Sequence, residues 1–325
     1  MPLTSKEIML RAIEQRDPPR LPLHFCNRDF DWSDSRVTGP GWSTDFVCDK
    51  PGRTEWGYVW ESLDGTMGQP SEHPIIDEAA LARYTPPDPA APGRFAHFPD
   101  FLTEYGDHFL RVGCGITGFN QATFLRGFED FLMDLYSERA MAERILDLVF
   151  NYENAMIEHF CEYPFDAVGF GDDWGTQQGL LISPELWREV FRPRYAEQFA
   201  RIHQAGKKVW FHCCGNIHEV IGDFIDIGVD VLELLQPDVF GIEWLGREFG
   251  GHVTFCCSVD HQRRALTGTR EEIFAYVAQL VNTLGKFHGG FIGYVEDYNC
   301  LGMQEETYQH ICEAFRTVEL PLSIH

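Results

Sequence analysis

The stretch Lys207–Leu235 reads KKVWFHCCGNIHEVIGDFIDIGVDVLELL. It is a short apolar run (Val209–Cys213), a segment of 3.6-residue periodicity (His218–Ile227), and a second apolar run (Val229–Leu235). Strand, helix, strand in so few residues predicts a βαβ unit and a parallel sheet. Working outward, further apolar runs recur at Arg20–Asn27, Phe109–Thr117, Ala167–Asp172, His252–Cys257 and Gly290–Val295. Helical periodicity lies between them at Glu138–Tyr163, Pro184–Ala205 and Arg270–Leu284. The strands are almost continuously apolar, as expected when helices cover the outside and side chains fill the inside. That makes seven strands, and an eighth would have to hide in the first hundred residues. No G-x-G-x-x-G follows any of them. The expected fold is therefore α/β, a (β/α)8 TIM-type barrel, with a doubly wound open sheet as the structural alternative.

Residues Asp29–Arg94 break the rhythm. They are rich in Trp, Gly, Pro and Asp, and Tyr84–Gly93 (YTPPDPAAPG) excludes both helix and strand. A hairpin is expected at Glu55–Trp60 and Gly65–Gln69. The stretch reads as an irregular excursion capping the mouth of a single barrel domain that spans residues 1–325.

Composition narrows the functions. With 44% apolar residues, 26 Phe and 8 Trp, the chain has ample material for a core. A formal charge of −24 argues against nucleic acids and anionic membranes as partners, since both would repel it. No apolar run is long enough to span a bilayer, and Met1–Ile13 has the charges of an amphipathic helix rather than of a secretory signal. A cytoplasmic location is expected. Ten cysteines in a reducing compartment suggest free thiols. Cys26, Cys48, Cys114, Cys161 and Cys312 are expected to be small core residues.

The remaining thiols collect where barrel strands end. His212 and Cys214 are two apart on one strand and so project from the same side, joining a borderline nitrogen to a soft sulfur. Glu233 follows on the next strand, and Cys257 on the one after. These four form the expected zinc site, with Cys300 competing with Cys257 for the third position. Asp172 and Asp173, at the end of an earlier strand, are candidates for acid–base work. Ser183-Pro184-Glu185 is only a helix start.

Taken together, D-D-W-G-T-Q-Q-G-L-L-I-S-P-E-L-W (172–187), R-P-R-Y (192–195), G-K-K-V-W-F-H-C-C-G-N-I (206–217) and I-G-V-D-V-L-E-L-L-Q-P (227–237) resemble the uroporphyrinogen decarboxylase superfamily. The likeness continues through V-D-H-Q (259–262), L-T-G-T-R-E-E-I (266–273) and G-G-F-I (289–292). It implies a (β/α)8 barrel. It also offers two chemistries. True uroporphyrinogen decarboxylases are metal-free and hold their substrate with an Arg-rich N-terminal segment, where this chain has only Arg28. The other branch comprises zinc methyltransferases that work with methyl-corrinoid proteins and carry an H-x-C motif, a distant Cys and, in some, a Glu. His212, Cys214 and Glu233 resemble that pattern, which implies methyl transfer between a small molecule and a thiol, folate or corrinoid acceptor. No D-x-H-x-x-G motif is present, so a corrinoid would arrive on a partner protein or as free cobalamin. A metal-free decarboxylase of a small carboxylic acid is the alternative. Barrels of this superfamily are often dimers, and the sequence leaves a homodimer open.

Overall fold

The structure, a computed structural model, describes residues 2–62 and 67–323. Its main sheet has eight strands. They are β1 (Leu23–Phe25), β2 (Ser35–Thr38), β5 (Phe109–Ile116), β6 (Ala167–Gly171), β7 (Lys208–Cys213), β8 (Val231–Leu234), β9 (Thr254–Cys257) and β10 (Phe291–Val295). Their order is β1-β10-β9-β8-β7-β6-β5-β2, and every pairing is parallel. The ends of that row meet: Asp34 N–H donates to the Leu23 carbonyl at 2.8 Å, and His24 Nδ1 lies 2.7 Å from Ser35 Oγ. The result is a nearly closed (β/α)8 barrel.

Strand alternation sorts the side chains into two cores. Phe109, Ala167, Trp210, Val231, Cys256, Ile292 and Tyr294 point inward, and Met9 and Ile13 of the helix Ser5–Ile13 join them. That helix plugs the end of the barrel where the strands begin, for Thr254 Oγ1 donates to the carbonyls of Ala12 and Ile13. The intervening residues, among them Val209, Phe211, Cys213, Leu232, Leu234, Phe255 and Cys257, pack outward against the helices. The other end is left open for the site.

The helix expected over Arg270–Leu284 has those bounds, with a Thr269/Glu272 capping box at its start. The one expected over Pro184–Ala205 is two, Pro184–Val190 and Arg192–Gln204. Pro193 lacks an N–H to continue a helix and instead sits in the first turn of the second one.

The hidden eighth strand is β2, and it lies within the stretch read as an irregular excursion. S-R-V-T carries a single strongly apolar residue, so it gave no strand signal. The hairpin in this region pairs β3 (Val59–Glu61) with β4 (Gln69–Glu72). Its arms are displaced a few residues from those expected, and Gly65 falls outside the described residues. Arg94 fastens the excursion: almost fully buried, it donates to Glu55 Oε2 at 2.7 Å and to the carbonyls of Asp88 and Gly41. Two of the cysteines expected in the core, Cys26 and Cys48, are exposed.

Candidate metal centre

The open end of the barrel collects side chains from β6, β7 and β8. Register sets the geometry, because His212 pairs with Gly171 on one side and with Glu233 on the other. Inward-facing positions on β7 are Trp210, His212 and, just past the strand, Cys214. After β6 the alternation places Asp172 outward and Asp173 inward.

His212 Nε2 lies 3.5 Å from Cys214 Sγ and 3.5 Å from Asp173 Oδ1. Among the described residues, Asp173, His212 and Cys214 form the group of possible ligands whose donor atoms lie within 4.8 Å of one another. Ligand atoms around a tetrahedral zinc, bound at about 2.0–2.3 Å, stand about 3.4–3.6 Å apart. Both separations from His212 match those edges, and the donor set of one nitrogen, one sulfur and one carboxylate suits zinc.

The other ring nitrogen of His212 is already engaged. Nδ1 lies 2.8 Å from Glu233 Oε1, while Glu233 Oε2 accepts from Trp210 Nε1 at 2.6 Å and Arg111 Nη1 at 3.0 Å. This is the arrangement in which a carboxylate fixes the tautomer and orientation of a metal-binding imidazole. Glu233 therefore stands behind His212 and outside the cluster.

The electrostatics follow from burial and these contacts. Burial works against charge on Glu233, but Arg111 and His212 outweigh it and hold the carboxyl below the usual range. Burial likewise opposes an imidazolium at His212, yet its bonds to Asp173, Cys214 and Glu233 prevail and raise its pKa well above the usual value. Burial pushes the Cys214 thiol up, with His212 partly offsetting it. Burial opposes charge on Asp173 too, but its bonds from His212 and Cys214 prevail and hold that carboxyl below its usual range, so the imidazole and the thiol are the cluster's proton carriers.

Two loops clamp the cluster. Gly175 N–H donates to the Cys214 carbonyl and Asn216 N–H to that of Thr176, so the loops after β6 and β7 lie backbone against backbone. A Cβ on Gly215 would stand 2.0 Å from the Gly175 carbonyl oxygen, and one on Gly175 would stand 2.3 Å from Asn216 N. Only glycines allow that approach. Asp173 Oδ1 also accepts from Cys214 N–H at 2.7 Å, which ties the two loops at the site itself.

A cavity of about 590 Å³ adjoins the cluster, lined by His212, Glu233, Arg111 and the glycines 113, 115, 169 and 171. The missing side chains on β5 and β6 create this space. At Gly169 a Cβ would stand 3.0 Å from Arg111 Cδ, so glycine also gives Arg111 its path across the barrel to Glu233.

The structure distributes the remaining candidates elsewhere. Asp172 is fully buried on the outer face, accepting from Phe119 N–H at 2.9 Å, Asn120 N–H at 2.8 Å and the Tyr195 hydroxyl. It anchors the start of the helix Gly118–Arg126 and does not reach the cavity. Cys257 lies in the outer core, because its neighbour Cys256 takes the inward position beside Glu233. Cys300 is exposed in the short 3₁₀ turn Asn299–Leu301 after β10. Neither thiol joins the cluster. The residues that sequence reasoning missed are Asp173 as a donor atom beside His212, and Arg111 and Trp210 as supports of Glu233. A count of inward positions along β5 and β7 would have found the last two.

The uroporphyrinogen decarboxylase (URO-D) family profile matches residues 65–316. The chain belongs to the uroporphyrinogen decarboxylase family. Among solved structures, a methyltransferase from Methanosarcina mazei superposes with a TM-score of 0.67 at 14% identity, covering 97% of this chain and 99% of that one. At that identity the likeness speaks for the fold. An endo-β-1,4-xylanase from Gloeophyllum trabeum covers 74% of this chain and 90% of its own, at 12% identity, but with a TM-score of 0.41 it carries no argument. Among curated proteins no relative matches the chain. Within this URO-D family barrel, no described helix is long and apolar enough to cross a membrane.

Proposed function

We propose that this chain is a cytoplasmic, zinc-dependent methyltransferase that moves a methyl group between a small molecule and a corrinoid or a thiol or folate acceptor. The corrinoid would come on a partner protein or as free cobalamin. The observation that carries this reading is the Asp173–His212–Cys214 cluster, with its imidazole held from behind by Glu233, at the wall of a glycine-lined cavity. Those three residues would hold the zinc. Bound there, zinc would lower the pKa of a thiol substrate enough to make it a thiolate at neutral pH.

The chain's own residues prepare that site. Glu233 accepts the Nδ1 proton of His212, so that Nε2, facing Cys214 and Asp173, is the nitrogen that would give up its proton to a cation. Arg111 and Trp210 hold Glu233 in place for that task. The cavity leaves space for substrate beside the donor atoms, and the similarity to the Methanosarcina mazei methyltransferase agrees with this assignment.

The metal-free decarboxylase would need spare cations for a substrate carboxylate, and the candidates are occupied. Arg28 pairs with Asp297 and Glu305, Arg126 with Asp130 and Asp134, and Arg111 with Glu233. Burial and the neighbouring Arg111 push His24 down to about 3, so it is neutral.

Metal content and methyl transfer test the proposal together. Purified protein should bind about one zinc per chain and demethylate methylcobalamin in the presence of a small thiol. Cys214→Ala and His212→Ala should lose both properties. Full activity in zinc-stripped protein would overturn the reading.

A further inference from the structure

A second cavity, of about 160 Å³, lies beyond the first. The two share Pro40, Cys114 and Ile116 in their walls, so they adjoin across the end of β5. The smaller one is walled by Trp42, Trp56 and Tyr58 from the excursion and by Tyr152 of the helix Arg139–Cys161. The rings of Trp56 and Tyr152 meet edge to face with centroids 4.7 Å apart. A volume of about 150 Å³ lined by apolar groups is enough to take benzene, so the space is ring-sized.

Its polar lining is unusual in one respect. Gln121, 3% exposed, carries an amide Nε2 with no hydrogen-bond partner. Buried polar groups are nearly always paired, so an orphaned donor on a residue that lines a cavity calls for a partner there. Tyr152 brings a hydroxyl that none of the hydrogen bonds found among the described residues uses. Arg94 spends Nε and Nη1 on Asp88, Gly41 and Glu55, and Nη2 takes no part in those bonds. The acceptor side is already satisfied: Glu153 receives Gly118 N–H at 2.7 Å and Gln198 Nε2 at 2.9 Å. Aromatic walls with surplus donors call for a flat group that accepts hydrogen bonds.

We propose that this smaller cavity is a compartment of the same site, taking a planar ring that bears an acceptor oxygen, while the reacting end of that molecule lies beside Asp173, His212 and Cys214. The placing of the reacting end rests on the methyl-transfer reading; the ring compartment does not. The excursion then selects substrate as well as covering the barrel. An unpaired buried amide destabilises the free protein and is compensated only when the ligand binds.

Acetophenone, a ring with one carbonyl oxygen, is the probe, and toluene is its oxygen-free control. Ligand-observed NMR titration of the full chain should show acetophenone binding that weakens about tenfold in Gln121→Met and in Tyr152→Phe, the loss of one hydrogen bond. Toluene binding should stay within about twofold in Gln121→Met, and this variant should melt no lower than the wild type. A purely structural glutamine would show the opposite, a lower melting temperature and no change in binding. Cys214→Ala should lose zinc yet keep acetophenone binding. Absence of acetophenone binding in the wild type, or binding in both cavity variants as tight as in the wild type, overturns the compartment. A wild-type chain that binds acetophenone but no zinc would sink the metal reading alone.

Discussion

At His212 the chemistry depends on which nitrogen faces which acid. Nδ1 meets Glu233 and Nε2 faces Cys214 and Asp173, so two carboxylates on opposite sides of one ring take different tasks. Replacing Glu233 by Gln keeps the volume but presents an amide to both His212 and Arg111, whose guanidinium then loses its partner. Loss of such a supporting carboxylate typically weakens metal affinity by about 10–100-fold. Glu233→Gln should show that loss in a competitive chelator titration, with the fold intact by circular dichroism; unchanged affinity would remove Glu233 from the site. Protonation adds a second expectation. The Cys214 thiol lies above its usual range through burial, and the His212 imidazole lies well above its own through its acidic and thiol neighbours. Both protons must leave when a cation binds. Zinc binding at pH 7 should release about two protons, and affinity should rise with pH. A pH-indicator titration measures the release, and none released would mean that His212 and Cys214 are not the ligands.

At the scale of elements, the site is made by two loops and a helix start. The positive φ of Gly215 (78°) and the 2.0 Å approach to Gly175 mean that Gly215→Ala must part the loops carrying Asp173 and Cys214. The variant should lose at least about tenfold in zinc affinity and about 1–3 kcal/mol in stability. Glu153 supports the neighbouring element by accepting the Gly118 N–H. Burial pushes its carboxyl up to about 7 from the usual 4.5. Its contribution to stability is thus full below about pH 4.5 and is lost as pH rises through 7, for a total of up to about 3 kcal/mol. Glu153→Gln should melt higher than wild type at pH 8 and nearly level with it at pH 5, since Gln198 has an unpaired Oε1 that could receive the new amide. An equal difference at both pH values would refute this account. These elements also mark how far sequence carries. Strands buried on both faces are legible because they are apolar throughout, and His212 and Cys214 because a spacing of two at the end of one strand puts them on one side. The role of Asp173 was not, since it depends on register between strands. Counting strands along the chain points to Cys257, but alternation puts Cys256 inward in its place.

At the scale of the molecule, the barrel is a ring with one weak joint. Seven parallel pairings run from β1 round to β2, while β1 and β2 themselves meet through a few polar contacts. Asp34 holds that joint from both ends. Its backbone N–H donates to Leu23, and its buried carboxylate accepts from Leu23 N–H at 2.9 Å and from both terminal nitrogens of Arg20 at 2.7 and 2.6 Å. The two-pronged Arg–carboxylate geometry is the strong form of such a bond, and an amide can satisfy only part of it. Asp34→Asn should therefore cost about 2–3 kcal/mol, lowering the melting temperature by roughly 3–4 °C. Because the seam lies across the barrel from β7, zinc affinity should stay within about twofold of wild type. Hydrogen exchange should quicken first in residues 23–25 and 35–38, where the ring opens, before it does in β7 and β8. If exchange instead rose evenly round the barrel, or if zinc affinity fell along with stability, closure at this seam would be coupled to the site and the two ends of the sheet could not be treated as independent.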